Sequence, residues 1–165
     1  MPETNHLVGS PTMTALIEQY NKELFSALVY FQLAAVVERD NYLGFSKLFQ
    51  DRAAEELEHA HKFFTFISDA DGTAYINAME EPKIKDESLL GLFRQALKHE
   101  QFISDSIFKL KELAVSDKEH PTEQFLAWFI EEQVEEEASL DVIISNLERI
   151  DGNEAAILEL QESEF

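Results

Sequence analysis

The chain has no cysteine, which removes disulfides, thiolate zinc sites, iron–sulfur clusters and cysteine nucleophiles together. Basic residues are scarce: 13 Lys and Arg stand against 33 Asp and Glu, a formal net charge of −20. That argues against nucleic acid as a partner, because phosphate contacts need clustered Lys and Arg. It argues equally against an anionic membrane surface, and it favours the attraction of cations. No apolar run approaches ~18 residues. The N-terminus shows no charged start followed by an apolar run and a small-residue cleavage site, so the cytoplasm is the expected location. Glycine and proline are also few, five and four in 165 residues. What remains is 45% hydrophobic, enough for the core of one domain. With thiolates excluded, any bound metal must be held by carboxylate and imidazole.

The few Gly and Pro residues fall where boundaries are needed. Residues 1–11 read as a short tail, and a single domain is expected over 12–165. Four long helices are expected, from about Thr12 to Arg39, Tyr42 to Asp69, Asp86 to Val115 and Pro121 to Ile150, with Pro121 suited to a first helical turn. Residues 153–162 suit a short fifth helix. Helices of this length span ~42–45 Å at 1.5 Å per residue. The first and third connections are short and predict antiparallel hairpins. The middle one, Ala70 to Lys85, is long enough to return along the bundle. The expected fold is therefore an all-α four-helix bundle with one long crossover and a short C-terminal helix.

Each long helix carries an apolar stripe at steps of three and four, and each stripe is interrupted near its middle by a carboxylate. The first reads Leu16, Tyr20, Glu23, Ala27, Tyr30, Ala34, Val37. The second reads Phe45, Phe49, Arg52, Glu56, His59, Phe63, Phe66. The third reads Leu89, Phe93, Ala96, Glu100, Ile103, Ile107, Leu110. The fourth reads Phe125, Phe129, Gln133, Glu136, Leu140, Ile143, Leu147. A hydrogen bond to Tyr or Arg52 would account for any one of these acids. Four converging carboxylates would repel one another, and each costs several kcal/mol to desolvate unpaired. Arg52 is the one basic residue on the stripes. Two divalent ions would balance Glu23, Glu56, Glu100 and Glu136.

Glu56 and His59 form a Glu-x-x-His pair, which places carboxylate and imidazole on one helix face. A site rich in oxygen with one nitrogen suits iron or manganese, with zinc a competitor. A second acidic run spans Glu131, Glu132, Glu135, Glu136 and Glu137. A solvated helix face explains most such runs. The like-charge pairs at three and four residues also permit a third cation site from Glu55, Glu132 and Glu135.

These residues resemble a family. Asn21-Lys22-Glu23-Leu24 with Tyr30, Ala54-Glu55-Glu56-Leu57-Glu58-His59-Ala60, His99-Glu100-Gln101, and Trp128 through Glu137 are together similar to non-haem prokaryotic ferritin, over about residues 12–160. The resemblance implies a ferritin-like bundle assembled as a 24-subunit hollow cage, a homo-oligomer storing ferric mineral. It implies a ferroxidase centre in each subunit, where two Fe²⁺ ions each give one electron to O₂ (or H₂O₂). By motif position Glu23, Glu56 and His59 hold the first iron. Glu56 bridges to a second iron held by Glu100 and Glu136, with Gln133 beside it and Tyr30 adjacent. Glu55, Glu132, Glu135 and Glu136 match a third iron site. Ser139 stands where bacterioferritins carry a second histidine. Leu57 stands where haem-binding members place Met, which argues against haem. Of two acidic positions lining a three-fold channel in animal ferritins, Glu123 fits one and Leu126 takes the other.

Three other readings suit parts of the pattern. They are a di-iron oxidase or peroxidase without a cage, a DNA-protecting mini-ferritin, and a structural acidic bundle that binds a basic partner. The intrachain carboxylates argue against the second.

Overall fold

The computed structural model describes residues 10–163. Five helices follow one another: α1 (Pro11–Arg39), α2 (Leu43–Asp69), α3 (Leu89–Ser116), α4 (His120–Ile150) and α5 (Glu154–Ser163). Of the expected tail, positions 1–9 lie outside the described residues. Ser10 instead caps α1, its hydroxyl accepting from the Met13 N–H at 3.0 Å, with Pro11 at the first turn. The short hinges turn on left-handed residues. Asn41 and Asp71 have φ of 63° and 60°, and Asp151 and Gly152 have 49° and 79°. Asn, Asp and Gly adopt this region at least cost. Lys118, at 58°, does so between α3 and α4 without that chemical advantage.

One long-helix boundary differs from expectation by more than a single residue. α3 begins at Leu89, not Asp86. The Asp86 carboxylate accepts from the Ser88 N–H at 2.9 Å, a local turn that competes with helix. Ser88 then caps the helix by accepting from the Gly91 N–H at 3.1 Å. The crossover therefore runs from Ala70 to Ser88. Two amides fasten its backbone to the bundle. Asn21 donates to the Tyr75 carbonyl and accepts from the Asn77 N–H, both at 2.8 Å. Gln95 donates to the Lys83 carbonyl at 2.7 Å and accepts from the Lys85 N–H at 3.2 Å.

α1 packs most extensively on α2, α3 on α4, and the two hairpins meet chiefly through α1 and α3. The apolar core is split in two. One part gathers Tyr30, Leu33, Phe45, Phe49, Phe93 and Leu140. The other gathers Leu16, Tyr20, Phe63, Ile103, Ile107 and Phe129. On every long helix the residues between these two parts are the stripe carboxylates, so the bundle has a polar storey at mid-height. α5 closes one end. Its Gln161 side chain accepts from the Gly44 and Phe45 N–H groups at 3.1 and 3.2 Å, supplying the cap that Tyr42 does not give α2.

Candidate metal centre

The helical period brings one acid from each long helix into the polar storey. Glu23 and Glu100 have no solvent exposure, and Glu56, His59, Gln133 and Glu136 have 2–3%. The ligand-type atoms of Glu23, Glu56 and His59 lie within 4.8 Å of one another. His59 Nδ1 is 3.3 Å from Glu56 Oε2 and 3.8 Å from Glu23 Oε2. None of these three buried atoms has a hydrogen bond. Buried polar atoms are normally satisfied, so three open donors aimed at one point fit a hard divalent cation. Trp128 and Phe129 meet the His59 ring edge-on, with centroids at 5.4 and 5.9 Å, and hold it upright.

The other half of the storey is already engaged. Tyr30 donates its hydroxyl to Glu100 Oε1. Gln133 Nε2 donates to Glu100 Oε2 at 3.1 Å and to Ser104 Oγ at 3.2 Å. Ser104 passes its own proton to Glu137 at 3.1 Å. Arg52 pairs with Glu136 and donates to Ser139. The two protein partners that the stripes offered, Arg52 and a tyrosine, are thus both in use. Glu136 has its counter-ion in Arg52, and Glu100 has its partners in Tyr30 and Gln133. Glu23 Oε2, Glu56 Oε2 and Glu136 Oε2 all lack a hydrogen bond, and of the three Glu136 Oε2 is the one that faces a guanidinium.

Sequence reasoning passed over the residues that orient these acids. Gln19 donates to Glu23 Oε1 at 2.8 Å, turning the free Oε2 inward. Ser106 donates to Gln19 Oε1 at 2.6 Å and accepts from Lys22 Nζ at 2.7 Å. Gln19 and Ser104 each lie four residues from a stripe acid, on the same helix face, and that spacing is the signal that would have found them. His99 lies 2.7 Å from Ser26 Oγ. The Ser26 proton goes to the Lys22 carbonyl, so His99 donates from Nε2.

Electrostatics follow the geometry. Burial, reinforced by Glu100 and Glu23, raises the Glu56 carboxyl well above the usual range, with His59 opposing. Burial also raises Glu100, against its bonds from Tyr30 and Gln133. Burial would lower His59, but Glu23 and Glu56 outweigh it and push it up to about 10. Burial lowers His99 to about 4, and Glu23 opposes.

The third-site residues are brought together only in part. Glu132 joins His59 and Glu136 in a second group of ligand-type atoms within 4.8 Å. Glu55 and Glu135 are exposed and join neither group; with Arg52, Glu132 and Glu136 they line a cleft of about 420 Å³. Leu126 is fully buried in the core, whereas Glu123 is partly exposed and lies 3.4 Å from His120.

The fold and this layer define a helical-bundle protein with a buried cluster of carboxylates and an imidazole whose chemistry could hold a cation. The ferritin-like domain family matches residues 13–150. Over 159 residues the chain is 38% identical to the bacterial non-heme ferritin of Staphylococcus aureus (strain MRSA252) and 35% to that of Staphylococcus epidermidis (strain ATCC 35984). These matches cover 96% of this chain and 95% of each relative. A solved open-pore ferritin of the archaeon Archaeoglobus fulgidus superposes with a TM-score of 0.91 at 35% identity, covering 94% of this chain and 96% of that one. A humanized archaeal ferritin superposes with a TM-score of 0.91 at 34% identity, over 94% of each chain. The chain belongs to the ferritin family, and its curated relatives are bacterial non-haem ferritins. No described helix is long and apolar enough to cross a membrane.

Proposed function

We propose that this chain is a cytoplasmic iron-storage subunit that oxidises Fe²⁺ with O₂ (or H₂O₂) at an intrasubunit di-iron centre. The Fe³⁺ passes to a mineral inside a 24-subunit cage of identical chains. The observation that carries the reading is the trio of open, buried ligand atoms, Glu23 Oε2, Glu56 Oε2 and His59 Nδ1. They receive the first ferrous ion. Glu56 bridges to a second, taken by Glu100 and Glu136 with Gln133 alongside. Glu132, with Glu55 and Glu135 on the cleft wall, takes a third.

Each Fe²⁺ gives up one electron, and two together reduce O₂ by two electrons. The protein positions the ions and balances charge. His59 sheds its proton to bind, and Tyr30 and Gln133 hold Glu100 in place. With one imidazole, the Gln133 amide nearby and Ser139 where bacterioferritins carry a second imidazole, the centre suits a substrate in transit. Haem has no place in this scheme, since Leu57 offers no axial ligand.

An anaerobic ferrous titration followed by air tests the reading. Two or three ions per chain oxidise rapidly, and Glu56→Ala abolishes the fast phase. Slow oxidation unaltered by Glu56→Ala overturns it. A monomeric or dimeric mass on size exclusion, with fast oxidation retained, assigns the chain instead to a di-iron oxidase or peroxidase without a cage.

A further inference from the structure

The two halves of the polar storey differ in readiness. The Glu23, Glu56 and His59 atoms are open. Glu100 has both oxygens engaged, and Glu136 is covered by the Arg52 guanidinium. Glu136 is buried and Arg52 mostly so, their side chains 3% and 13% exposed. A guanidinium does not deprotonate, so Arg52 cannot yield Glu136 to a cation by losing charge. It can only move. Room for movement adjoins it, in the cleft of about 420 Å³ that Arg52 lines with Asp51, Glu55 and Glu135. Glu55 Oε2 already lies 4.0 Å from the guanidinium, and half of its side chain is exposed.

We propose that Arg52 is a tethered stand-in for the second cation. It neutralises Glu136 while only the Glu23–Glu56–His59 half is filled, and swings toward Glu55 when a second ferrous ion takes Glu136. The inference rests on reading the centre as an iron site. It makes loading sequential, because the second ion must displace a fixed positive charge that the first does not meet. Arg52 is thus a positioning residue that sets the difference in affinity between the two sites.

Anaerobic calorimetric titration of the assembled protein with Fe²⁺ tests this. The wild type binds in two unequal steps. Arg52→Gln keeps a donor for Ser139 without the charge. It strengthens the second step at least about tenfold, equivalent to ~1.4 kcal/mol, and leaves the first unchanged. Arg52→Lys keeps the charge and keeps the gap. Equal steps in the wild type, or a second step unchanged or weaker in Arg52→Gln, overturn the proposal.

Should Arg52→Gln fail to assemble, wild-type crystals loaded anaerobically with Fe²⁺ decide. The guanidinium sits on Glu136 at one ion per chain and on the Glu55 side at two. A guanidinium still on Glu136 at two ions overturns the proposal while leaving the iron-site reading intact. A wild type that takes up no ion at Glu23, Glu56 and His59 removes both.

Discussion

Tyr30 on α1 donates its hydroxyl to Glu100 on α3, and neither residue has any solvent exposure. The bond joins the two hairpins across the polar storey. Burial, with the Glu100 charge adding to it, holds the phenol well above its ordinary pKa, so the proton stays on Tyr30.

Tyr30→Phe should therefore lower the stability of the metal-free protein by about 1–3 kcal/mol, the cost of leaving a buried carboxylate oxygen without its donor. Thermal unfolding without metal measures this. The first ferrous step should persist, because Glu23, Glu56 and His59 do not touch the phenol.

Glu23→Gln should act through His59. Glu23 is the first of the two acids that hold the His59 ring protonated against its burial. Removing that charge should lower both the folded His59 pKa and the stability of the metal-free protein, because a buried cation loses one of its partners, while the first ferrous step in an anaerobic titration disappears. NMR titration of the ring and denaturant unfolding without metal measure the two effects, and an unchanged His59 pKa overturns the prediction.

His59 gives a pH signature. Its folded pKa of about 10 exceeds the ordinary 6.5, so its stabilising contribution is complete below 6.5 and is lost as pH rises through about 10. Metal-free stability should decline over that window, and His59→Gln should flatten the decline. At pH 7 the ring must surrender its proton to a metal. Calorimetry in buffers of different ionisation enthalpy should then register proton release on the first step.

His99 has the opposite sign. Its folded pKa of about 4 lies below the ordinary value, so its contribution is complete above 6.5 and is lost as pH falls through about 4. Denaturant unfolding should show the loss on the acid side, and His99→Gln should reduce it.

Much of the architecture was legible before the fold was built. Scarce Gly and Pro marked the hinges, and the three–four periodicity of Leu16 through Val37 and its counterparts gave the inward faces. The start of α3 was not, because Asp86 favours a turn by a side-chain bond that its helical spacing conceals. The stripes turned Glu23, Glu56 and His59 inward, and the family resemblance singled out the three as one group, which the structure brings within 4.8 Å. Which acids are already engaged was not legible in the stripes, since it depends on where the long Arg52 and Tyr30 side chains reach across the bundle. Glu55 and Glu135 sit one residue off the inward face, and that offset of about 100° turns them to the cleft.

The division of the hydrophobic interior has a consequence for how this molecule tolerates change. Each greasy end is packed from its own set of residues, and the hydrophilic slab between them is kept narrow. Charge can be added, withdrawn or rearranged there with little repacking above or below. A hydrophilic floor of this kind can be retuned one side chain at a time without dismantling the building around it.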